Sequence, residues 1–238
     1  LADVLGQKRS LPFAMARRAM HAANRLGGAA RYAAVLDRFV LASGAESDRL
    51  RGEAANLIAS WTAPQEFDRV RNESRVYGAR DAEAAHAKLA SSFAAMMAHP
   101  DAAVQQAAIR AARAAEMAEI APELLTTVQG DGNEEVRIAA LNTLSDFGAE
   151  QLGEGLRAAG QSDSAKLRAR AMRLLAKWDP VEALPILADV LPRAEAAEQA
   201  AAFGALADLA NPQADALLVA WVNRLGAGEV PGASQLEL

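Results

Sequence analysis

The chain has 238 residues and a net charge of −5, so it lacks the basic surplus that phosphate contacts demand, which argues against a nucleic-acid binder. Apolar residues make up 52%, but aromatics only 5%, a balance that suits many thin helix contacts rather than one thick core. It contains no cysteine, which removes disulfides, thiolate catalysis, covalent haem attachment and cysteine metal sites, and no apolar run reaches the roughly 18 residues of a membrane span.

In chain order, residues 1–9 read as the tail of a preceding helix. Ser10, Leu11 and Pro12 are expected to cap a helix, with Pro12 just inside it. That helix runs to about Leu26 and stops at Gly27 and Gly28. Residues 29–42 form an outer helix with Tyr32, Val35, Leu36, Phe39 and Val40 on one face; Ser43 and Gly44 turn it into an inner helix over 47–61. Residues 62–81 interrupt the pattern. An outer helix over 82–98 follows, then an inner one from Pro100 to about Ala118, then a short outer helix over 122–129.

Residues 133–148 form the clearest helix. Val136, Ala140, Leu141, Leu144 and Phe147 mark one apolar face of a 3.6-residue period. Asp131, Asn133, Glu134 and Glu135 suit a helix N-terminus, and Gly148 suits its end. Beyond it, helices are expected over 149–159 and 165–178, over 182–191 after a break at Asp179 and Pro180, and over 194–209 and 212–225. Residues 226–232 are read as a turn and 233–238 as the first turn of one more inner helix.

The inner helices are copies of one another. Ala108, Ala140, Ala171 and Ala202 recur every 31 or 32 residues, and Ala19 and Ala54 match them upstream. The next position reads Met20, Ala55, Ile109, Leu141, Met172 and Phe203. The closing position reads Leu26, Trp61, Ala115, Phe147, Trp178 and Leu209. A repeated small residue on a helix face lets a neighbouring helix come close, and self-similarity at this period means a solenoid. The expected fold is therefore all-α: an α-α superhelix of about six helical-hairpin units in a single domain over 1–238, with a loop inserted at 62–81.

The insert is polar and charged. Asp68, Arg69, Arg71, Tyr77 and Arg80 are the candidate interaction residues, because insertions in solenoids map to loops on one face. The alternative is a solvated loop with no role. His21, His86 and His99 are not spaced for a shared metal face and read as surface or hydrogen-bonded histidines. Trp61, Trp178 and Trp221 read as core. Arg17, Arg18, Arg51, Arg137, Arg168, Arg170 and Arg173 lie on inner helices; they either line a surface for an acidic partner or pair with turn aspartates such as Asp131 and Asp163. No phosphate loop or catalytic carboxylate pair stands out. No catalytic, cofactor-binding or metal residue is assigned, and no cofactor is expected on this segment.

The turn and helix from Asp131 through Val136 and Arg137 resemble a HEAT repeat, with its aspartate followed by valine and arginine. Three further phrases narrow the likeness: Trp61 to Val70 with Arg80 and Asp81; Leu174 to Pro180 with 183–187; and 216–218 with 228–231 and 235–238. Together they resemble the HEAT-repeat region of the large haem-binding, sorbosone/glucose-dehydrogenase-like proteins of planctomycetes and verrucomicrobia. In that family a propeller precedes the array and a cytochrome c-type domain follows it. The resemblance implies a middle segment of a larger, bacterial, periplasmic or otherwise extracytoplasmic redox protein, and Leu1 in place of Met agrees with a fragment or a processed chain.

The function expected on this basis is a non-catalytic scaffold for flanking domains or a protein partner, with no nucleic acid and no membrane insertion. Two other readings stay open: a stand-alone, cytoplasmic regulatory adaptor, and an enzyme acting on nucleic acid from a HEAT scaffold, against which the acidic charge counts.

Overall fold

A computed structural model describes residues 4–5, 11–41, 48–62, 67–68, 72–74, 77 and 80–229. The expectations for the lead-in other than Val4 and Leu5, for the turn at Ser43 and Gly44, and for the helical turn over 233–238 lie outside these residues. The chain divides into two compact units, Leu1–Ile120 and Ala121–Leu238.

In the first unit, α1 (Phe13–Leu26) ends where Gly27 and Gly28 take positive φ of 69° and 90°. Helix α2 (Ala29–Val35) continues into a π-helical stretch, Leu36–Leu41, in which Leu36, Phe39 and Val40 are all buried. Then come α3 (Asp48–Ala59), a short hairpin of β1 (Phe67–Asp68) and β2 (Glu73–Ser74), α4 (Ala82–Met97), α5 (Ala102–Ala114) and a 3₁₀ turn at Ala118–Ile120. The inner helices stack α1 on α3 and α3 on α5, while the outer α2 packs on α4.

The second unit holds α6 (Ala121–Gln129), α7 (Glu134–Phe147), α8 (Leu152–Gly160), α9 (Ala165–Trp178), α10 (Pro180–Val190), α11 (Ala196–Asp208) and α12 (Pro212–Gly226). Here α7 stacks on α9 and α9 on α11, with α6 against α8 on the outer side. Both units are thus stacks of helical hairpins, the fold class expected from the repeat.

The register alanines carry the stack. Ala19, Ala54, Ala108, Ala140 and Ala202 are fully buried, and Ala171 is 3% exposed. The following position is buried in every copy, so each inner helix except α3, which has Ala55 there, presents one small and one larger side chain to its neighbours. Each large apolar side chain so buried contributes about 1.5–3 kcal/mol. The caps of α7 are those expected: Asn133 Oδ1 accepts from the Glu135 and Val136 N–H groups at 3.0 and 3.3 Å, and Gly148 is left-handed at φ 59°, ψ 33°.

Four expectations are corrected. Pro12 sits at the cap position itself rather than inside α1, its carbonyl accepting from the Met15 and Ala16 N–H groups. Helix α5 stops at Ala114, not near Ala118: Glu116 adopts φ 53°, and Met117 N–H bonds back to the Ala112 carbonyl at 3.0 Å, closing the helix as a glycine ordinarily would. Helix α10 starts two residues early, because Asp179 caps Val181 and Glu182 while Pro180 occupies the first helical position. Finally, the closing position is not uniformly core: Trp61 and Leu209 are buried, but Leu26 is 59% and Trp178 48% exposed.

Candidate interaction surfaces

In the first unit the insert is anchored at its root. Phe67 pairs with Ser74 and Asp68 with Glu73 in an antiparallel ladder, and Asn72 turns between them at φ 58°. Of the candidate interaction residues, Arg69 and Arg71 lie outside the described residues, and Asp68 sits in that ladder. Tyr77 and Arg80 come together. The Arg80 guanidinium lies 5.3 Å from the Tyr77 ring centroid and 5.5 Å from that of Trp61. Trp61 in turn meets Tyr32 edge-on at 5.2 Å.

All three guanidinium nitrogens of Arg80 are buried and, among the described residues, have no hydrogen-bond partner. The two aromatic faces compensate the charge instead. Burial nevertheless pulls the Arg80 pKa below the usual arginine range. A Cβ at position 27 would stand 2.9 Å from Arg80 Nη1, so Gly27 both ends α1 and admits this side chain.

Of the inner-helix arginines, Arg17, Arg137, Arg168 and Arg170 find partners within the chain, but not the turn aspartates expected. Arg17 Nε and His21 Nε2 both hold Glu53, at 2.8 and 2.6 Å. Burial alone would raise the Glu53 pKa, yet the hydrogen bonds from His21 and Arg17 outweigh it and bring it down to about 2. In the second unit, Arg168 grips Glu198 through Nε and Nη2 and also donates to the Ser162 carbonyl at 2.7 Å; Asp163 acts only as a nearby charge. Arg137 donates to the Val128 carbonyl, not to Asp131, and Arg170 to Asn142.

These links depart from expectation for a geometric reason. The Arg17 and Arg168 guanidinium groups each reach the next inner helix in the stack, where a carboxylate one repeat further along meets them. The spacings of 36 residues for Arg17 and Glu53, and of 30 for Arg168 and Glu198, were the sequence signal.

The histidines are satisfied singly. His21 is on Glu53, His86 meets Glu119 at 2.9 Å, and His99 Nδ1 accepts from the Asp101 N–H. Among the described residues no helix is long and apolar enough to cross a membrane.

The second unit carries a feature that the sequence reading missed. A groove of about 220 Å³ opens between α8 and α10, with α9 as its floor. Leu156, Met172, Leu175, Trp178 and Ile186 give it apolar walls; Arg157 and Gln161 border it from α8 and Glu182 from α10. Two glycines of α8 shape it. A Cβ at Gly153 would come within 2.8 Å of Trp178 Cη2, whereas one at Gly160 would meet nothing within 4 Å.

Compared with known families, residues 90–164 match the model of HEAT repeats, so this stretch is a HEAT-repeat region. A search of curated proteins finds no match to the chain.

Proposed function

We propose that the chain is a non-catalytic scaffold that positions proteins, and that it works inside a multidomain extracytoplasmic redox protein, between a dehydrogenase-like propeller and a haem-binding cytochrome c-type domain. The observation that carries the scaffold reading is the HEAT-repeat region over residues 90–164, set among hairpin stacks whose register alanines are buried throughout. HEAT repeats suggest protein interaction, and stacked repeats present extended surfaces suited to it. The redox setting rests on the resemblance carried by the phrases at 61–70 with 80–81, 174–180 with 183–187, and 216–218 with 228–231 and 235–238.

On this reading the insert is a contact element. Tyr77 and Arg80 fix its root, and the ladder holding Asp68 carries the exposed Phe67 outward, toward a neighbouring domain. The periplasm is the proposed compartment.

The test is the reading frame around this segment, followed by cross-linking mass spectrometry on the full-length protein. A propeller upstream, a Cys-x-x-Cys-His motif downstream and cross-links from both to this segment are expected. A frame that lacks both domains overturns the redox setting and favours a stand-alone adaptor.

A further inference from the structure

The groove between α8 and α10 is apolar where a closed stack would have been filled. At the closing register position Trp178 is half exposed, as Leu26 also is, whereas Trp61 and Leu209 are buried, and Ile186 is exposed beside it. The opening is sized for a ring: an enclosed apolar cavity of roughly 150 Å³ holds benzene, and this groove measures about 220 Å³. Its mouth is open at the last residue of α8, where a side chain at Gly160 would meet no neighbour.

The rims differ in charge. Arg157 and Gln161 stand on the α8 side and Glu182 on the α10 side, all three exposed. None of these side chains bonds to another described residue. An apolar trough with a free cation on one rim and a free carboxylate on the other matches a chain laid across it, not a compact solute dropped in. Rim charges of this kind set orientation and partner choice more than affinity.

We propose that this groove docks an extended peptide segment of a partner protein, one that presents an aromatic side chain with an acidic residue toward Arg157 and a basic residue toward Glu182. The aromatic ring stacks beside Trp178 and over Met172 and Leu175, and burial of that one side chain supplies most of the affinity. This deepens the scaffold reading and rests on it.

The test is to pan a random-peptide phage library against the whole chain, then to measure the enriched peptides by fluorescence. Trp61 and Trp221 are buried, so Trp178 dominates the solvent-sensitive signal. The expected result is a shared aromatic with an acidic neighbour, binding that shifts Trp178 emission, and a loss of about tenfold or more in Gly160→Leu. In Arg157→Glu the preference for the acidic neighbour should reverse to a basic one. Circular dichroism confirms that each variant is folded, and Gly160→Ala serves as a milder filling if Gly160→Leu is not. No shared motif, equal binding to Gly160→Leu, or binding of free benzoate or indole as tight as that of the peptides overturns the proposal. Cross-links from flanking domains that persist in Gly160→Leu would leave the scaffold reading intact while removing this one.

Discussion

Arg168 on α9 and Glu198 on α11 are joined by two parallel hydrogen bonds of 2.6 and 2.8 Å, with Glu198 only 6% exposed. The pairing raises the arginine pKa and lowers that of the glutamate, so both stay charged. Removing one partner strands the other: Arg168→Ala also orphans the Ser162 carbonyl. A loss of about 2–3 kcal/mol in urea unfolding is expected for Arg168→Ala. The double variant with Glu198→Ala should lose less than the sum of the two single ones, and strict additivity would show that the pair contributes no coupling.

Glu53 makes the first unit acid-sensitive. Its carboxyl titrates near 2 when folded, against 4.5 in the ordinary case. A depressed folded pKa gives stability that is present in full above 4.5 and is lost as pH falls toward 2. The total at stake is on the order of 3 kcal/mol. Glu53→Gln should therefore flatten the dependence of stability on pH between 5 and 2.5, and an unchanged slope in that variant would disprove the assignment.

Glu116 holds a left-handed turn that costs a side-chain-bearing residue about 1–2 kcal/mol. Glu116→Gly is expected to stabilise the chain by about 1 kcal/mol, read as a raised midpoint in thermal or urea unfolding. Destabilisation would mean that the Glu116 side chain contributes more than its backbone strain removes.

Ala140 is fully buried at its register position. Ala140→Leu should cost about 1–3 kcal/mol or more by overpacking, while the same change at the exposed Ala114 should cost less than about 0.5 kcal/mol. Equal effects at both sites would break the link between register and packing.

The stack itself could be read from residues. Ala54, Ala108, Ala140, Ala171 and Ala202 recur because each marks a crossing point, and Asn133 and Gly148 signal their helix ends through chemistry that needs no partner. Other features depend on what a distant segment supplies. The end of α5 is closed by a glutamate, so no glycine advertises it. The exposure of Trp178 follows from how α8 and α10 flank α9, which periodicity on one helix does not encode. The groove is made of missing side chains at Gly153 and Gly160, and a glycine within a helical run reads only as a weak helix former. The partners of Arg17 and Arg168 are hidden in the sequence because acidic turn residues are near along the chain, while Glu53 and Glu198 are near only in space.

Helix α9 packs on α7, α8, α10 and α11, whereas α12 rests chiefly on α11. A stack with one such hub does not let go everywhere at once. Among the described helices of this unit α12 has the fewest packed neighbours and α9 the most, so amide protons of α12 should exchange with solvent before those in the middle of α9. The same order would make α9 the last refuge of the second unit under partial proteolysis, and the groove it floors would outlast the loosening of α12.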